Sequence, residues 1–308
     1  MKANVEAALG GSYSSQSDGI VSRLLELGHL VRSARRHPTS NAGWIIEVWK
    51  MTTQRIFEHT GVRLEGKKGL DIGPGQQRGC LRCFSASNDM VAIDTDYIVQ
   101  QGTLAEYAHA LKSHGLMRTL KTFGRRMLGV DAKVERTLAD ALGVPELPRA
   151  KIERMSATAM TFPDSTFDFV YSHSVFEHID DPAAAVKEVV RVLKPGGAVY
   201  LSVHQYTSHS GQHDPRILTR DEIEPPLWPH LRPAHAHTVR PNAYVNRWSL
   251  AQWQELFERE MPGVTMLLDK QEGLRGHLNE LRAQGELAAY SDDDLLTLNV
   301  VAVWRKPS

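Results

Sequence analysis

The feature that most constrains the fold is a glycine-rich turn between one short apolar segment and a second that ends in an acid. Residues 70–79 read Leu-Asp-Ile-Gly-Pro-Gly-Gln-Gln-Arg-Gly, and residues 91–94 read Val-Ala-Ile-Asp. Apolar runs this short, bounded by glycine, are typical of buried strands in a parallel sheet. Glycines let the backbone approach a ligand, and an acid at the tip of the next strand accepts hydrogen bonds from ribose hydroxyls. The pattern predicts an α/β sheet with an adenosine-containing ligand at its carboxyl edge.

The residues around this turn favour a cationic ligand over a dinucleotide. A dinucleotide turn carries a third glycine where the helix N-terminus meets the pyrophosphate, whereas here Arg78 takes that position and Gly79 follows. Asp71 lies in the strand that approaches the turn, where its carboxylate would repel a pyrophosphate. S-adenosylmethionine carries an ammonium and a sulfonium and no phosphate. Charge therefore favours S-adenosylmethionine over NAD.

Downstream motifs resemble those of the class I S-adenosylmethionine-dependent methyltransferases, in particular a broad bacterial group of them. The motifs are Phe-Pro-Asp-Ser-Thr-Phe-Asp at 162–168, Ser-His-Ser-Val-Phe-Glu-His at 172–178, Asp-Pro at 181–182 and Arg-Val-Leu-Lys-Pro-Gly-Gly at 191–197. The resemblance runs over roughly residues 66–203 with one insertion. It implies a Rossmann-like, doubly wound, mostly parallel seven-stranded sheet, with S-adenosyl-L-methionine as the cofactor and methyl transfer as the activity.

The order of the predicted elements suits such a sheet. Residues 1–65 are predicted to form a helical N-terminal segment, and residues 66–308 the methyltransferase domain. A helix is predicted at 182–193, because it begins at Asp-Pro and is followed by Pro-Gly-Gly, and another at 249–260. The last two predicted strands are expected to pair antiparallel and close the sheet. The predicted strands are 69–73, 90–94, 151–155, 167–173, 198–204, 264–268 and 297–304.

Two connections are longer than compact domains usually contain, which indicates a functional role. Residues 97–149 have helical character and a basic cluster, and we interpret them as a helical lid whose cations would suit an anionic acceptor or form a solvated face. Residues 205–247 are rich in histidine and proline, and we interpret them as a substrate loop. The basic cluster comprises Lys112, Arg118, Lys121, Arg125 and Arg126.

The resemblance also assigns the residues that contact the cofactor. Asp94 is expected to accept from the ribose hydroxyls, and the turn to pass close to the methionine end, with Asp71 near the ammonium. Ser156 takes the place of an aspartate that family members use to accept from the adenine amino group. The predicted cofactor-binding residues are Asp71, Gly73, Pro74, Gly75, Asp94, Thr95, Ser156, Ala157 and Ser172.

The acceptor determines which catalytic group is needed. A sugar or alcohol hydroxyl must lose a proton, and histidine is suited to accept it near neutral pH. We predict His213 as the general base, oriented by Asp214, followed by His204 and then His173. His178 is expected to have a structural or cofactor-pocket role, because the Glu-His pair recurs in family members with unrelated acceptors.

A metal site is the competing interpretation of the histidines. His209 and His213, His235 and His237, together with Asp214, have spacings that could supply ligands. The prolines and glycines of this segment prevent a single helix, and no closed set of four ligands is evident. No metal is predicted.

The composition of the chain disfavours some classes of binding partner. Lys plus Arg and Asp plus Glu each number 36, so no net charge attracts nucleic acid or an anionic membrane. No apolar run or leader pattern indicates membrane insertion or export, which predicts a cytoplasmic protein. Cys80 and Cys83 form a Cys-x-x-Cys pair that we interpret as packing residues, since a redox or zinc site would need another context.

Three functions fit these observations. The first is O-methylation of a sugar or comparable polar small molecule, because the connection after the fifth strand resembles methyltransferases of bacterial glycan and secondary-metabolite clusters. The second is methylation of nitrogen or a carboxylate without a general base. The third, non-enzymatic binding of S-adenosylmethionine, is disfavoured by the intact set of Gly73, Gly75 and Asp94. The sequence does not give the oligomeric state.

Overall fold

The computed structural model describes residues 40–214, 217, 226–241 and 243–308. The predicted N-terminal helix before residue 40 and part of the substrate loop lie outside these residues. Short 3-10 turns occur at Phe176–His178, Pro229–Leu231, Ala236–Thr238 and Glu272–Leu274. The strands are β1 (Lys68–Ile72), β2 (Asp89–Asp94), β3 (Lys151–Arg154), β4 (Phe167–His173), β5 (Leu193–His204), β6 (Thr265–Lys270) and β7 (Thr297–Arg305). The helices are α1 (Ser40–Thr60), α2 (Gly79–Ser85), α3 (Leu104–Met127), α4 (Val130–Leu142), α5 (Pro182–Val192), α6 (Leu250–Glu260), α7 (Arg275–Ala283) and α8 (Asp292–Leu296).

The strands form one seven-stranded sheet in the order β3-β2-β1-β4-β5-β7-β6. The strands from β3 across to β5 are parallel, whereas β7 pairs antiparallel with both β5 and β6. The strand order reverses between β1 and β4, so the connections that follow these two strands diverge and leave a crevice at their carboxyl ends. The predicted Rossmann-like, mostly parallel fold is confirmed.

Both faces of the sheet are buried, which explains the continuous apolar runs of its central strands. Leu70 and Ile72 of β1 face a core that includes Trp253 of α6 and residues of α5. Phe169 and Tyr171 of β4 face the opposite core. Each fully buried large apolar side chain contributes about 1.5–3 kcal/mol, so the strand ends are held on a rigid base.

Helix α1 is fixed to the sheet by polar contacts as well as by packing. Arg55 donates to both carboxylate oxygens of Asp269 in β6, at 2.5 and 2.9 Å, and to the hydroxyl of Tyr200 in β5 at 3.3 Å. A two-pronged guanidinium–carboxylate contact fixes orientation as well as distance. Helix α1 is thus part of the domain, and its Ile56 belongs to the core that Phe169 and Tyr171 face.

The predicted lid contains two helices. Helix α3 begins with a capping box formed by Thr103 and Glu106 and is kinked at Gly115, whose backbone is not helical. Two of its cations are held by neighbouring groups: Arg125 pairs with Asp131 at 2.6 Å, and Arg126 donates to backbone carbonyls of residues 100 and 101. These two arginines therefore have internal partners, while the side chains of Arg118 and Lys121 lie outside the described part of the protein.

Some boundaries differ from the predicted ones. Strand β5 begins at Leu193 rather than at residue 198, because Leu193 pairs with Phe167 before a register shift and the backbone of Gly196 and Gly197 bonds to Lys306. Helices α7 and α8 were not among the predicted elements. Across the described ranges, none of the helices combines the length and apolar character that crossing a bilayer requires.

Candidate functional site

The turn after β1 forms one wall of a cavity at the carboxyl edge of the sheet. Gly73 and Gly75 both have positive φ, at 74° and 62°. A Cβ on Gly73 would lie 2.4 Å from a methyl carbon of Val175, whereas a Cβ on Gly75 would meet no atom within 4 Å. Gly73 N–H donates to the carbonyl of Ile93 at 2.8 Å, which fixes the turn against β2. The backbone thus passes close to Val175 at Gly73 and borders open space at Gly75.

The cavity has a volume of about 430 Å³, which lies within the range of small-molecule sites. Its walls come from the turn after β1, the tip of β2, the residues after β3 and the connection after β4. Its lining includes four aspartates and, among the described residues, neither lysine nor arginine. Such a wall favours a cationic ligand and disfavours a pyrophosphate. The four aspartates are Asp94, Asp96, Asp180 and Asp181.

Six of the predicted cofactor-binding residues lie on the cavity wall. Asp94, at the tip of β2, also accepts a hydrogen bond from the backbone N–H of Asp96 at 2.8 Å. The hydroxyl of Ser156 is 2.8 Å from that of Thr158. These two contacts orient the side chains at the ends of the neighbouring strands β2 and β3. The six residues are Gly73, Gly75, Asp94, Thr95, Ser156 and Ala157.

The other three predicted cofactor residues are absent from the wall. Ser172 is fully buried and donates to the carbonyl of Ile72 at 2.9 Å, so it fastens β4 to β1. Pro74 lies between two lining glycines without lining the cavity itself. Asp71 lies inside the sheet, where burial first and the charge of Asp94 second raise the pKa of its carboxyl well above the usual range. Their direct contact with a cofactor stays a prediction.

The histidines after β4 and β5 meet at one end of this cavity. The ring of His213 lies 4.7 Å from the ring of His178 and 4.7 Å from that of His204, measured between centroids. His178 lines the cavity, and its Nδ1 is 2.5 Å from the carbonyl oxygen of Tyr244. His204 Nε2 is 3.1 Å from the hydroxyl of Ser208 and 3.0 Å from that of Ser210. Two of the three predicted bases are therefore neighbours, next to the cofactor cavity.

Glu177 is the carboxylate nearest to these rings in the described contacts. Its Oε1 lies 3.9 Å from His178 Nε2 and 4.0 Å from His213 Nε2. The side chain is buried, and neither of its oxygens has a hydrogen-bond partner of good geometry. Burial raises the pKa of Glu177 to about 8, although the backbone N–H groups of Glu177 and His204 act in the opposite direction. A buried carboxylate in this condition is costly unless a cation or a proton joins it.

Burial also determines the charge of the rings. It lowers the pKa of His213 to about 2 and that of His204 to about 3, and repulsion among the neighbouring histidines adds to the effect. Both rings are consequently neutral at neutral pH and keep a lone pair on one nitrogen. A neutral ring can accept a proton or bind a metal ion.

The remaining predicted catalytic residues lie elsewhere. His173 packs edge-on against Trp44 of α1, with ring centroids 5.9 Å apart, and does not line the cavity. Asp214 is buried and accepts from the backbone N–H of Arg240 at 2.9 Å. Its predicted role of orienting His213 stays a prediction, and Glu177 is the acid that the structure places beside that ring.

The substrate loop also positions the short helix that carries Glu177 and His178. The side-chain amide of Asn246 donates to the carbonyls of Phe176 and Ile179 at 2.8 and 2.9 Å, and its backbone N–H donates to that of Glu177 at 2.8 Å. Asn246 thereby closes both ends of the helical turn. Residues of the predicted lid do not line this cavity among the described positions, although the carbonyl of Tyr97 accepts from Gln76 in the glycine turn.

Comparisons with known proteins find similarity to methyltransferases. Residues 110–201 match a family model described as a methyltransferase domain. An uncharacterized methyltransferase of Bacillus subtilis (strain 168), YcgJ, is 29% identical over 135 residues, which make up 42% of this chain and 46% of the relative. A phosphoethanolamine N-methyltransferase of Triticum aestivum is 40% identical over 52 residues, 17% of this chain and 10% of that protein. The chain thus spans less than half the length of these curated relatives.

A solved structure with a similar chain trace is that of Haemonchus contortus phosphoethanolamine N-methyltransferase 2 in complex with S-adenosyl-L-methionine. The two chains have a TM-score of 0.45 and 17% sequence identity, and the match covers 83% of this chain and 52% of the other.

Proposed function

Because this chain belongs to the class I S-adenosylmethionine-dependent methyltransferases, we propose that it transfers a methyl group to a hydroxyl of a sugar or another polar small molecule. S-adenosylmethionine, the cofactor that the sequence predicts, is the methyl donor of this family. The observation that carries the proposal is the cavity itself: a glycine turn, an acid at the tip of β2 and a wall of carboxylates stand beside a group of neutral histidines.

The residues present fit this cofactor. The carboxylate of Asp94 would accept from the ribose hydroxyls, and the backbone at Gly73 and Gly75 would border the methionine part. Ser156 and Ala157, which follow β3, would border the adenine. When bound, the sulfonium supplies a methyl group that is already activated, so positioning provides much of the acceleration.

The acceptor end carries the groups that a hydroxyl substrate needs. A hydroxyl must lose its proton as the methyl group is transferred, and a neutral ring nitrogen within hydrogen-bond reach can accept that proton. His213 is our first candidate, followed by His204 and His173. Glu177 in its ionised form, with Oε1 4.0 Å from His213 Nε2, would stabilise the ring once the ring is protonated.

Methylation of nitrogen or of a carboxylate is the second candidate. Phosphoethanolamine N-methyltransferases are among the curated relatives, and an amine that is already neutral needs no base for the transfer itself. This function would leave the buried histidines without a chemical role, which is why we place it second. Binding of the cofactor without catalysis is placed third, and a cytoplasmic location stays a prediction.

Transfer of a labelled methyl group to a panel of acceptors tests the proposal. The panel contains sugars, other alcohols, primary amines and carboxylic acids, and each product is analysed for the atom that carries the label. A methyl ether on a hydroxyl compound supports the proposal, whereas an N-methyl product or a methyl ester identifies the second candidate. The Asp94→Ala variant is the control, because label that still reaches the product at the normal rate would come from a contaminating enzyme.

A further inference from the structure

The turn Phe176–His178 and the segment after β5 bring two imidazoles and one carboxylate into a single cluster. The ligand-capable atoms of Glu177, His178 and His213 all lie within 4.8 Å of one another. Around a common metal ion with bonds of about 2.0–2.2 Å, neighbouring ligand atoms lie about 3–3.5 Å apart. The present separations of 3.9 and 4.0 Å from Glu177 Oε1 would have to shorten by about 0.5–1 Å. The separation between the two imidazole nitrogens, which is at most 4.8 Å, would have to shorten by up to about 1.5 Å, so the side chains must rotate to bind a common ion.

Two members of this cluster, Glu177 and His213, have buried polar atoms without hydrogen-bond partners among the described residues. Both carboxylate oxygens of Glu177 and the Nε2 of His213 are buried without a hydrogen bond of good geometry. Such groups are rare in folded proteins and indicate a missing water or ion, or a chemical role. A cation that both side chains bind would satisfy these buried atoms together.

The tautomer of His178 also suits a ligand. A carbonyl oxygen can only accept, so the 2.5 Å contact with Tyr244 requires the proton on Nδ1 of His178. Its Nε2 then presents a lone pair on the side of Glu177, 3.9 Å away. Histidines that bind metals generally donate their other N–H to a carbonyl or a carboxylate in this way.

We propose that Glu177, His178 and His213 bind a divalent first-row transition metal ion whose open positions hold the acceptor hydroxyl. Two imidazoles and one carboxylate suit such ions, and three protein ligands leave positions for substrate oxygens. His178 lines the cofactor cavity, so the ion would lie at its acceptor end. The proposal that an ion binds here is argued from the cluster alone, whereas the catalytic role of the ion rests on the proposed function.

In that role the ion lowers the pKa of the hydroxyl that it holds, as divalent cations do for bound water. The O–H bond breaks and its proton passes to water, while the oxygen keeps the electron pair. That pair forms the new oxygen–carbon bond, and the carbon–sulfur bond breaks with its electrons remaining on sulfur. His213 then acts as a metal ligand, and a neighbouring ring is no longer required as the base.

Cobalt(II) is the probe for this site, because its visible absorption reports on nitrogen ligands and on the coordination number. Full-length protein freed of metal with a chelator is titrated with Co²⁺, and Zn²⁺ is then used to displace it. We expect one equivalent to bind, and the Glu177→Gln and His213→Gln variants to bind at least about 100-fold more weakly. His237→Gln is the matched control, since this exposed histidine belongs to the same loop but not to the cluster.

S-adenosylhomocysteine binding by each variant, measured by calorimetry, reports on the fold and separates the two proposals. No saturable cobalt binding by a protein that binds S-adenosylhomocysteine overturns the metal site and leaves the proposed function intact. The metal site is also overturned if both Glu177→Gln and His213→Gln still bind cobalt normally, or if His237→Gln no longer binds it. Cobalt binding without affinity for S-adenosylhomocysteine would contradict the proposed function instead. Two variants from separate segments keep the test decisive if one of them fails to fold.

Discussion

Glu177 Oε1 lies 4.0 Å from Nε2 of His213, although the two residues belong to connections that leave different strands. Glu177 follows β4 and His213 follows β5, and these strands are neighbours in the sheet. His178, which adjoins both side chains, lines the cavity that we assign to the cofactor. Glu177 and His213 therefore lie next to the cofactor cavity, where we expect them to contact or activate the methyl acceptor.

The histidines beside the cavity should control turnover without controlling cofactor affinity. Replacing His213 by glutamine removes a ring that serves as base or as ligand, and we expect turnover to fall roughly 10²–10⁴-fold. Calorimetry with S-adenosylhomocysteine should give a nearly unchanged affinity. His237→Gln should retain the wild-type rate. Near-normal turnover in each of His213→Ala, His204→Ala and His173→Ala would contradict a hydroxyl acceptor that needs a protein base, and would favour the carboxylate or amine acceptor.

The two glycines of the turn should differ when each is replaced by alanine. Gly73→Ala combines a positive φ with a Cβ only 2.4 Å from Val175, and we expect it to lower the free energy of unfolding by roughly 2–4 kcal/mol. Gly75→Ala has the positive φ but no clash, so about 1–2 kcal/mol is expected. Urea unfolding measures both values. If both variants lose the same free energy of unfolding, the close approach of Gly73 to Val175 would be contradicted.

Asp71 should make the stability of the protein depend on pH. Its raised pKa means that the native protein holds a proton that the unfolded chain releases above about pH 4. The free energy of unfolding therefore loses up to about 1.4 kcal/mol per pH unit from this group as the pH rises toward the native pKa. Asp71→Asn removes that contribution, so its stability relative to the wild type should rise between pH 5 and pH 8.

Urea unfolding at three pH values tests this expectation, with Asp89→Asn as the control because Asp89 is an exposed residue of β2. A difference between Asp71→Asn and the wild type that stays constant with pH would mean that Asp71 is ionised in the native protein.

The two cysteines should be unreactive while the protein is folded. Burial raises the pKa of both the Cys80 and the Cys83 thiols to about 12. Compared with an ordinary cysteine of pKa near 8.5, the thiolate population at pH 8 falls by about three orders of magnitude. Alkylation should be slow in the native protein and complete for two thiols in denaturant. Stoichiometric labelling of the folded protein within minutes would contradict the packing role of this Cys-x-x-Cys pair.

Local patterns were sufficient for the cofactor side of the site. A buried strand, a glycine turn and an acid at the next strand tip have fixed geometry once a parallel sheet forms, so Gly73 and Asp94 could be placed from the sequence. Side chains alternate along a strand, so Asp71 lies on the other face of the sheet from Leu70 and Ile72, and its contact with a cofactor stays a prediction.

The acceptor side depends on contacts between segments that are distant in the sequence. The sequence singled out the Glu-His pair and His213 separately, but no periodicity relates a turn after β4 to a loop after β5. The positions of Asn246 and Tyr244, which hold the Glu177–His178 turn and the ring of His178, depend on the path of a long loop. Such juxtapositions follow from the tertiary structure, which is why the sequence did not indicate that Glu177 lies beside His213.

Titration calorimetry with S-adenosylhomocysteine and NAD tests most directly whether the cavity beside Gly73 and Asp94 holds the methyl donor. We expect micromolar binding of S-adenosylhomocysteine and no measurable binding of NAD, because the cavity wall carries carboxylates and no described cation. Asp94→Ala should weaken binding by about 1.5–3 kcal/mol, roughly 10- to 150-fold, whereas Asp89→Ala should leave it unchanged. Preferential binding of NAD, or full affinity for S-adenosylhomocysteine in Asp94→Ala, would contradict the account.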